Sequence, residues 1–122
     1  LLAYQAAAAQ PSLSLLSLLE AQEALATALL VNGRPDARLA HDCLAPLGKA
    51  VDCVRRELPQ GPGVAVYCRG VAEIQMWAGA NEQAQGLLAD SVPMLEDGGD
   101  DCAEELEACR QMLAVCAKRL AG

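Results

Sequence analysis

A chain of 122 residues, 53% of them hydrophobic, is long enough to close one core without staples and too short for two. Its 16 acidic against 9 basic side chains give a net charge of −7, which repels phosphate backbones and excludes nucleic acid as an expected partner. Gln5, Gln10, Glu20 and Glu23 interrupt the richest apolar segment, so no run reaches the roughly 18 residues a spanning helix needs, and the sequence predicts a soluble protein with no membrane partner.

Phe is absent, and Trp77, Tyr4 and Tyr67 are the only aromatic residues, so Leu, Ala and Val must fill the interior. Leu and Ala favour helix, and small Ala lets helices approach closely. Leu1 to Ala9 reads as a short Ala-rich helical turn or two. The chain starts inside this apparent helix with no initiator Met and no leader, which suggests a piece of something larger. Pro11-Ser12 then opens a helix carrying Leu15, Leu18, Leu19, Leu25 and Leu29, which Asn32-Gly33 is expected to close.

Pro35 and Asp36 mark the next helix start. Its stripe runs Leu39, Cys43, Leu47, Val51, Val54, Leu58, with a bend expected at Pro46. The segment Leu58-Pro-Gln-Gly-Pro-Gly63 is dense enough in Pro and Gly to end any helix. Beyond it, Val64, Tyr67, Val71, Ile74 and Ala78 share one face of a helix that stops at Gly79. Asn81 is the expected cap of a helix with Ala84, Leu87, Leu88, Ser91 and Leu95, kinked near its end by Pro93. The turn Asp97-Gly98-Gly99-Asp100 leads to the clearest stripe of all: Cys102, Leu106, Cys109, Leu113, Cys116, Leu120. Asp101 and Glu104 resemble a capping box there, and Lys118 and Arg119 sit at the negative end of the helix dipole.

Short turns between helices make the flanking helices antiparallel neighbours. Two of them, at Gly33 and Gly79, lie 46 residues apart, and each is followed by a matching Ala and an apolar-Pro step: Ala37 with Ala45-Pro46-Leu47, Ala84 with Val92-Pro93-Met94. Such a period fits stacked helical hairpins. The expected fold is therefore all-α, five to six helices in antiparallel hairpins forming a short array in one domain over 1–122.

The six cysteines contain no C-x-x-C pair, and His41 is the only histidine, so zinc ligation is not expected. Reduced thiols packed in a core, in an intracellular compartment of the cytoplasm or nucleus, are the expectation. Glu104, Glu105 and Glu107 read as a solvated face at a helix start, and Asp97, Asp100 and Asp101 as a polar turn lacking the spacing of a calcium loop. His41, beside Asp42 and near Cys43, reads as a surface histidine, because adjacent helical positions point apart. No catalytic, cofactor-binding or metal-binding residues are assigned.

Candidate partner-binding residues are Arg55, Arg56, Arg69, Glu73 and Trp77. The arginines are the densest basic feature on an acidic chain and either grip an acidic peptide tail or form a solvated rim. Trp77 either anchors a peptide or caps the core.

From Cys68, the string CRGVAEIQMWAGANEQAQGLLADSVPML has a tetratricopeptide (TPR) cadence, with small Ala72, a turn at Gly79, small Ala84 and apolar Leu88. The proline-glycine break before it, the Gly-Gly-Asp-Asp turn after it and a final helix with Glu104-Glu105-Leu106 complete the pattern. This arrangement resembles the C-terminal TPR-like helical domain of the SET and MYND domain lysine methyltransferases, and LLSLLEAQEALATALL with Gly33 and Pro35 resembles the preceding hairpin there. The family's Asn-His-Ser-Cys-like pocket motif, catalytic tyrosine framework and zinc-binding cysteine cluster have no counterpart in this chain. The resemblance thus implies a non-catalytic accessory domain that contacts a protein, a peptide or a neighbouring domain of the same protein.

Overall fold

The computed structural model describes residues 15–122, and the helical turns expected over Leu1–Ala9 and the helix start at Pro11-Ser12 lie outside that range. Six α-helices follow in order: α1 (Leu15–Ala28), α2 (Ala37–Asp42), α3 (Leu44–Glu57), α4 (Pro62–Trp77), α5 (Asn81–Asp97) and α6 (Ala103–Ala121). A two-stranded antiparallel hairpin, β1 (Leu30–Val31) and β2 (Arg34–Pro35), separates α1 from α2. The all-α class expected from the Leu/Ala-rich stripes is the one found.

Local chemistry explains each departure from the expected elements. Asn32-Gly33 does not close α1, which ends at Ala28. It forms the tip of the β-hairpin, with φ of 55° at Asn32 and 75° at Gly33. Two consecutive left-handed residues make a type I′ turn, whose twist matches that of paired strands and for which Asn-Gly is the favoured dipeptide. The single helix expected from Asp36 to Leu58 is two. Asp36 caps α2 by accepting from the Leu39 N–H at 3.0 Å, and the chain breaks at Cys43 before α3 begins. Pro46 causes this break without bending anything: it has no N–H to give the Asp42 carbonyl, and its ring excludes that carbonyl from a continuing helix. It sits instead in the first turn of α3, where no N–H is needed. The break moves only the start of the stripe: Leu39 is exposed and Ala40 takes the buried place, while Cys43, Leu47, Val51 and Val54 are buried as expected.

The exit from α4 is a Schellman turn: Ala80 N–H donates to the Gln75 carbonyl at 2.8 Å, Gly79 N–H to Met76 at 3.0 Å, and Gly79 adopts φ 81°. This turn brings Ala80 to the N-cap of α5, displacing Asn81 from the expected role. The Asn81 amide bonds outward instead, donating to the Gly79 carbonyl at 3.3 Å and accepting from Arg119 at 3.2 Å. Gly33 and Gly79, which the repeat superimposes, share the left-handed conformation but occupy different turns. α5 continues through Pro93 to Asp97. The capping box expected from Asp101 and Glu104 does not form, because Gly99–Cys102 winds into a 3-10 turn and leaves Cys102 at the N-cap of α6.

α4 is the centre of the packing and touches α1, α2, α3, α5 and α6. Val64, Ala65, Tyr67, Cys68, Val71, Ala72, Ile74 and Gln75 are all buried, so the helix is enclosed on two sides. α5 and α6 lie antiparallel, as the Asn81–Arg119 bond at one end and the Cys109 thiol donating to the Leu88 carbonyl further along show. α1 and α4 run in the same direction. Leu15 lies over Gly63 and Gln22 over Gly70, and a Cβ at either glycine would collide with them.

Candidate functional site

An open cleft of about 330 Å³ lies between α1 and α4. Arg69, Glu73 and Trp77 line its α4 wall at successive four-residue steps, the spacing that stacks side chains on one helical face. Leu19, Gln22 and Glu23 line the α1 wall. The structure thus brings together three of the five residues expected to meet a partner and adds three that the sequence reading passed over.

Gln22 is the chief of these. It is only 7% exposed, and its carbonyl oxygen Oε1 is buried with no hydrogen-bond partner. It reaches that depth because Gly70 has no side chain: a Cβ there would stand 1.7 Å from Gln22 Nε2. A signal was present in the sequence. Leu18, Gln22, Leu25 and Leu29 repeat at spacings of four and three, so a polar residue occupies a core position of the α1 stripe.

Arg69 is held inside the fold. Its guanidinium forms ion pairs with Glu105 of α6 and, at 3.3 Å, with Glu73 one turn along α4, and its Nη1 lies 3.9 Å from the Met112 sulfur. Glu105 therefore turns inward, a correction to the solvated face expected for Glu104, Glu105 and Glu107. Among those three only Glu105 is half-buried, while Glu107 accepts from Gln111 on the surface at 3.3 Å. Glu73 pairs through Oε2 and keeps 44% of its side chain exposed. Trp77 is partly buried against the core and also lines the cleft, so packing and contact with a partner are both open to it.

Arg55 and Arg56 lie elsewhere. Arg55 crosses from α3 to pair with Asp90 of α5 at 2.7 Å, beside clefts that Arg69 does not reach. Burial works against its charge, but the hydrogen bond and attraction of Asp90 prevail and push its pKa up. Arg56 points to solvent and, among the described residues, pairs only with its neighbour Glu57, at 3.5 Å. The three arginines form no common patch.

No disulfide links the six cysteines; Cys43, Cys68, Cys109 and Cys116 are buried, and Cys53 and Cys102 half-buried. Burial pushes the thiols of Cys43, Cys68, Cys109 and Cys116 up in pKa, which keeps them neutral and poorly nucleophilic at pH 7. His41 is exposed at the end of α2, and Asp97, Asp100 and Asp101 are exposed around the 3-10 turn. Among the described residues no three His, Cys, Asp or Glu side chains gather as a metal site would require, and no helix is long and apolar enough to cross a membrane. Comparison with protein-family models, with curated proteins and with solved structures finds no match in any of the three.

Proposed function

We propose that this chain is a non-catalytic helical-repeat interaction domain, TPR-like in the stacking of its hairpins, whose α1–α4 cleft receives a peptide or a segment of a neighbouring domain. The observation that carries the proposal is the cleft itself. Two helices that run the same way leave between them an open trough containing a partly buried Trp and a buried acceptor without a partner. The pattern from Cys68 to Leu95 and its flanks extends the proposal: the chain serves as the accessory domain of a SET and MYND type protein lysine methyltransferase, in an intracellular, reducing compartment that suits six cysteines without a disulfide.

The second proposal is a purely structural unit with no partner of its own. The pairing of Arg55 with Asp90 and of Arg69 with Glu105 favours it, since both arginines already serve the fold. Trp77 is the only tryptophan and sits in the cleft wall, so its emission separates the two proposals. Titration with a library of short peptides is expected to shift that emission saturably for some members. Silence across acidic, basic and apolar peptides leaves the structural unit as the answer. Calorimetric titration with S-adenosylmethionine is expected to show no binding, because methyl transfer needs a pocket aligning the sulfonium with a lysine amine. Saturable cofactor binding overturns the accessory-domain proposal.

A further inference from the structure

We infer that the α1–α4 cleft selects a cationic side chain, the lysine or arginine of a basic peptide, in place of the acidic peptide that the arginines of the sequence suggest. The inference rests on the peptide-binding proposal above and specifies the ligand of the same site.

Charge is the first ground. Among the described residues Arg69 is the one cation in the cleft wall, and it is shared between Glu73 and Glu105. Glu23 and Glu73 stand on opposite walls, and because Arg69 is also neutralised by Glu105 of α6, the cleft is left negative. Glu73 uses only Oε2 toward Arg69, and the Glu23 carboxylate forms no ion pair among the described residues. Among the described residues an acidic side chain entering here meets two carboxylates and no available cation.

Hydrogen-bonding capacity is the second, independent ground. Gln22 lines the cleft, more than nine-tenths buried, and its Oε1 is an acceptor closed off from solvent and without a partner. An unsatisfied buried acceptor calls for a donor. Lysine and arginine bring only donors, whereas a carboxylate brings none. Trp77 supplies the third element, because its indole face attracts a cation through the ring quadrupole, and the apolar stem of Lys or Arg can lie along Leu19. Acceptor, carboxylates and indole fall on facing walls because Gly63 and Gly70 let α1 settle close to α4.

The test uses three blocked pentapeptides that differ only at the centre: acetyl-Ala-Ala-Lys-Ala-Ala-amide, its norleucine counterpart and its glutamate counterpart, each titrated while Trp77 emission is read. The lysine peptide is expected to bind saturably and more weakly as salt rises. Gln22→Met, with its folded state checked by circular dichroism, is expected to weaken that binding about tenfold, the size of a lost hydrogen bond to a charged group. Glu73→Gln is expected to weaken it about two- to fivefold, as for a partly exposed ion pair. Binding of the norleucine or glutamate peptide as tight as that of lysine overturns the cation selectivity while leaving the peptide-binding proposal standing. Equal lysine affinity in Gln22→Met and the parent protein also overturns it. Absence of any change with all three peptides removes both.

Discussion

α4 and α6 carry apolar stripes of similar regularity, yet one is enclosed and the other is a flank. Eight residues of α4 are buried, whereas in α6 only Cys109 and Cys116 are, and Leu120, the last member of the most regular stripe in the sequence, is 48% exposed. Periodicity thus reports that a helix has an apolar face, and says little about how much of that face a neighbour covers. The difference lies in position. α4 contacts five other helices, while α6 leans on α5 with its edge on α4. α4 also has the composition of a two-sided helix, since Gly, Ala and Cys interleave with Val and Ile and allow approach from both directions.

The widest separation between the two helices should appear in stability. Ile74→Ala empties a fully buried site in α4 and is expected to cost about 2 to 5 kcal/mol, against about 0.5 kcal/mol or less for Leu120→Ala in α6. Urea denaturation midpoints check the pair, and equal losses would erase the contrast. Next comes Ala84, fully buried on α5. Ala84→Leu is expected to overpack that position by about 1 to 3 kcal/mol, and an unchanged midpoint would show that α5 can shift outward to make room.

The cysteines extend the comparison into pH. Cys68 belongs to α4, Cys109 and Cys116 to α6, and burial raises all three. A raised folded pKa means that the unfolded chain loses its thiol proton first. The contribution is therefore fully present below the model-peptide value of 9.0 and is lost as pH climbs from there through the folded pKa. The steepest loss is about 1.4 kcal/mol per pH unit per thiol. Stability measured from pH 8 to 10.5 should fall, and Cys68→Ala should flatten the fall; an identical slope in the variant would break the assignment. The smallest effect concerns Gln22. Replacing its unpartnered carbonyl by a thioether of the same length, Gln22→Met, is expected to raise stability by about 1 kcal/mol, so that α1 gives up stability for the acceptor it presents. A lower melting temperature in that variant would show that the amide is satisfied in solution.

The helices themselves were legible because each signature is local. The Leu58–Gly63 break, the Asp36 cap and the stop at Gly79 are all set by neighbouring residues. The junctions were harder. Asn32-Gly33 reads as a helix stop or a hairpin tip depending on whether the flanking residues pair, and Leu30 and Val31 do pair with Pro35 and Arg34. Pro46 fixes a break whose location depends on the carbonyl four residues upstream, and that moves the start of the stripe from Leu39 to Ala40. The site was half legible. Arg69, Glu73 and Trp77 share a face by spacing alone, whereas the ion pair of Arg69 with Glu105 joins residues 36 apart and needs the packing of α6 to exist.

The glycines beneath α1 also determine how the two helices are aligned lengthwise. Gly63, Gly70 and Trp77 recur every seventh residue on α4, and Leu15 and Gln22 do the same on α1, with Leu29 one residue past its end. Leu15 and Gln22 occupy the two places where α4 has no side chain. Sliding α1 forward by one heptad would put Gln22 opposite the indole of Trp77, where nothing makes room for it. The series glycine, glycine, tryptophan therefore works as a ruler with a stop, fixing the registration of parallel helices that no turn connects directly.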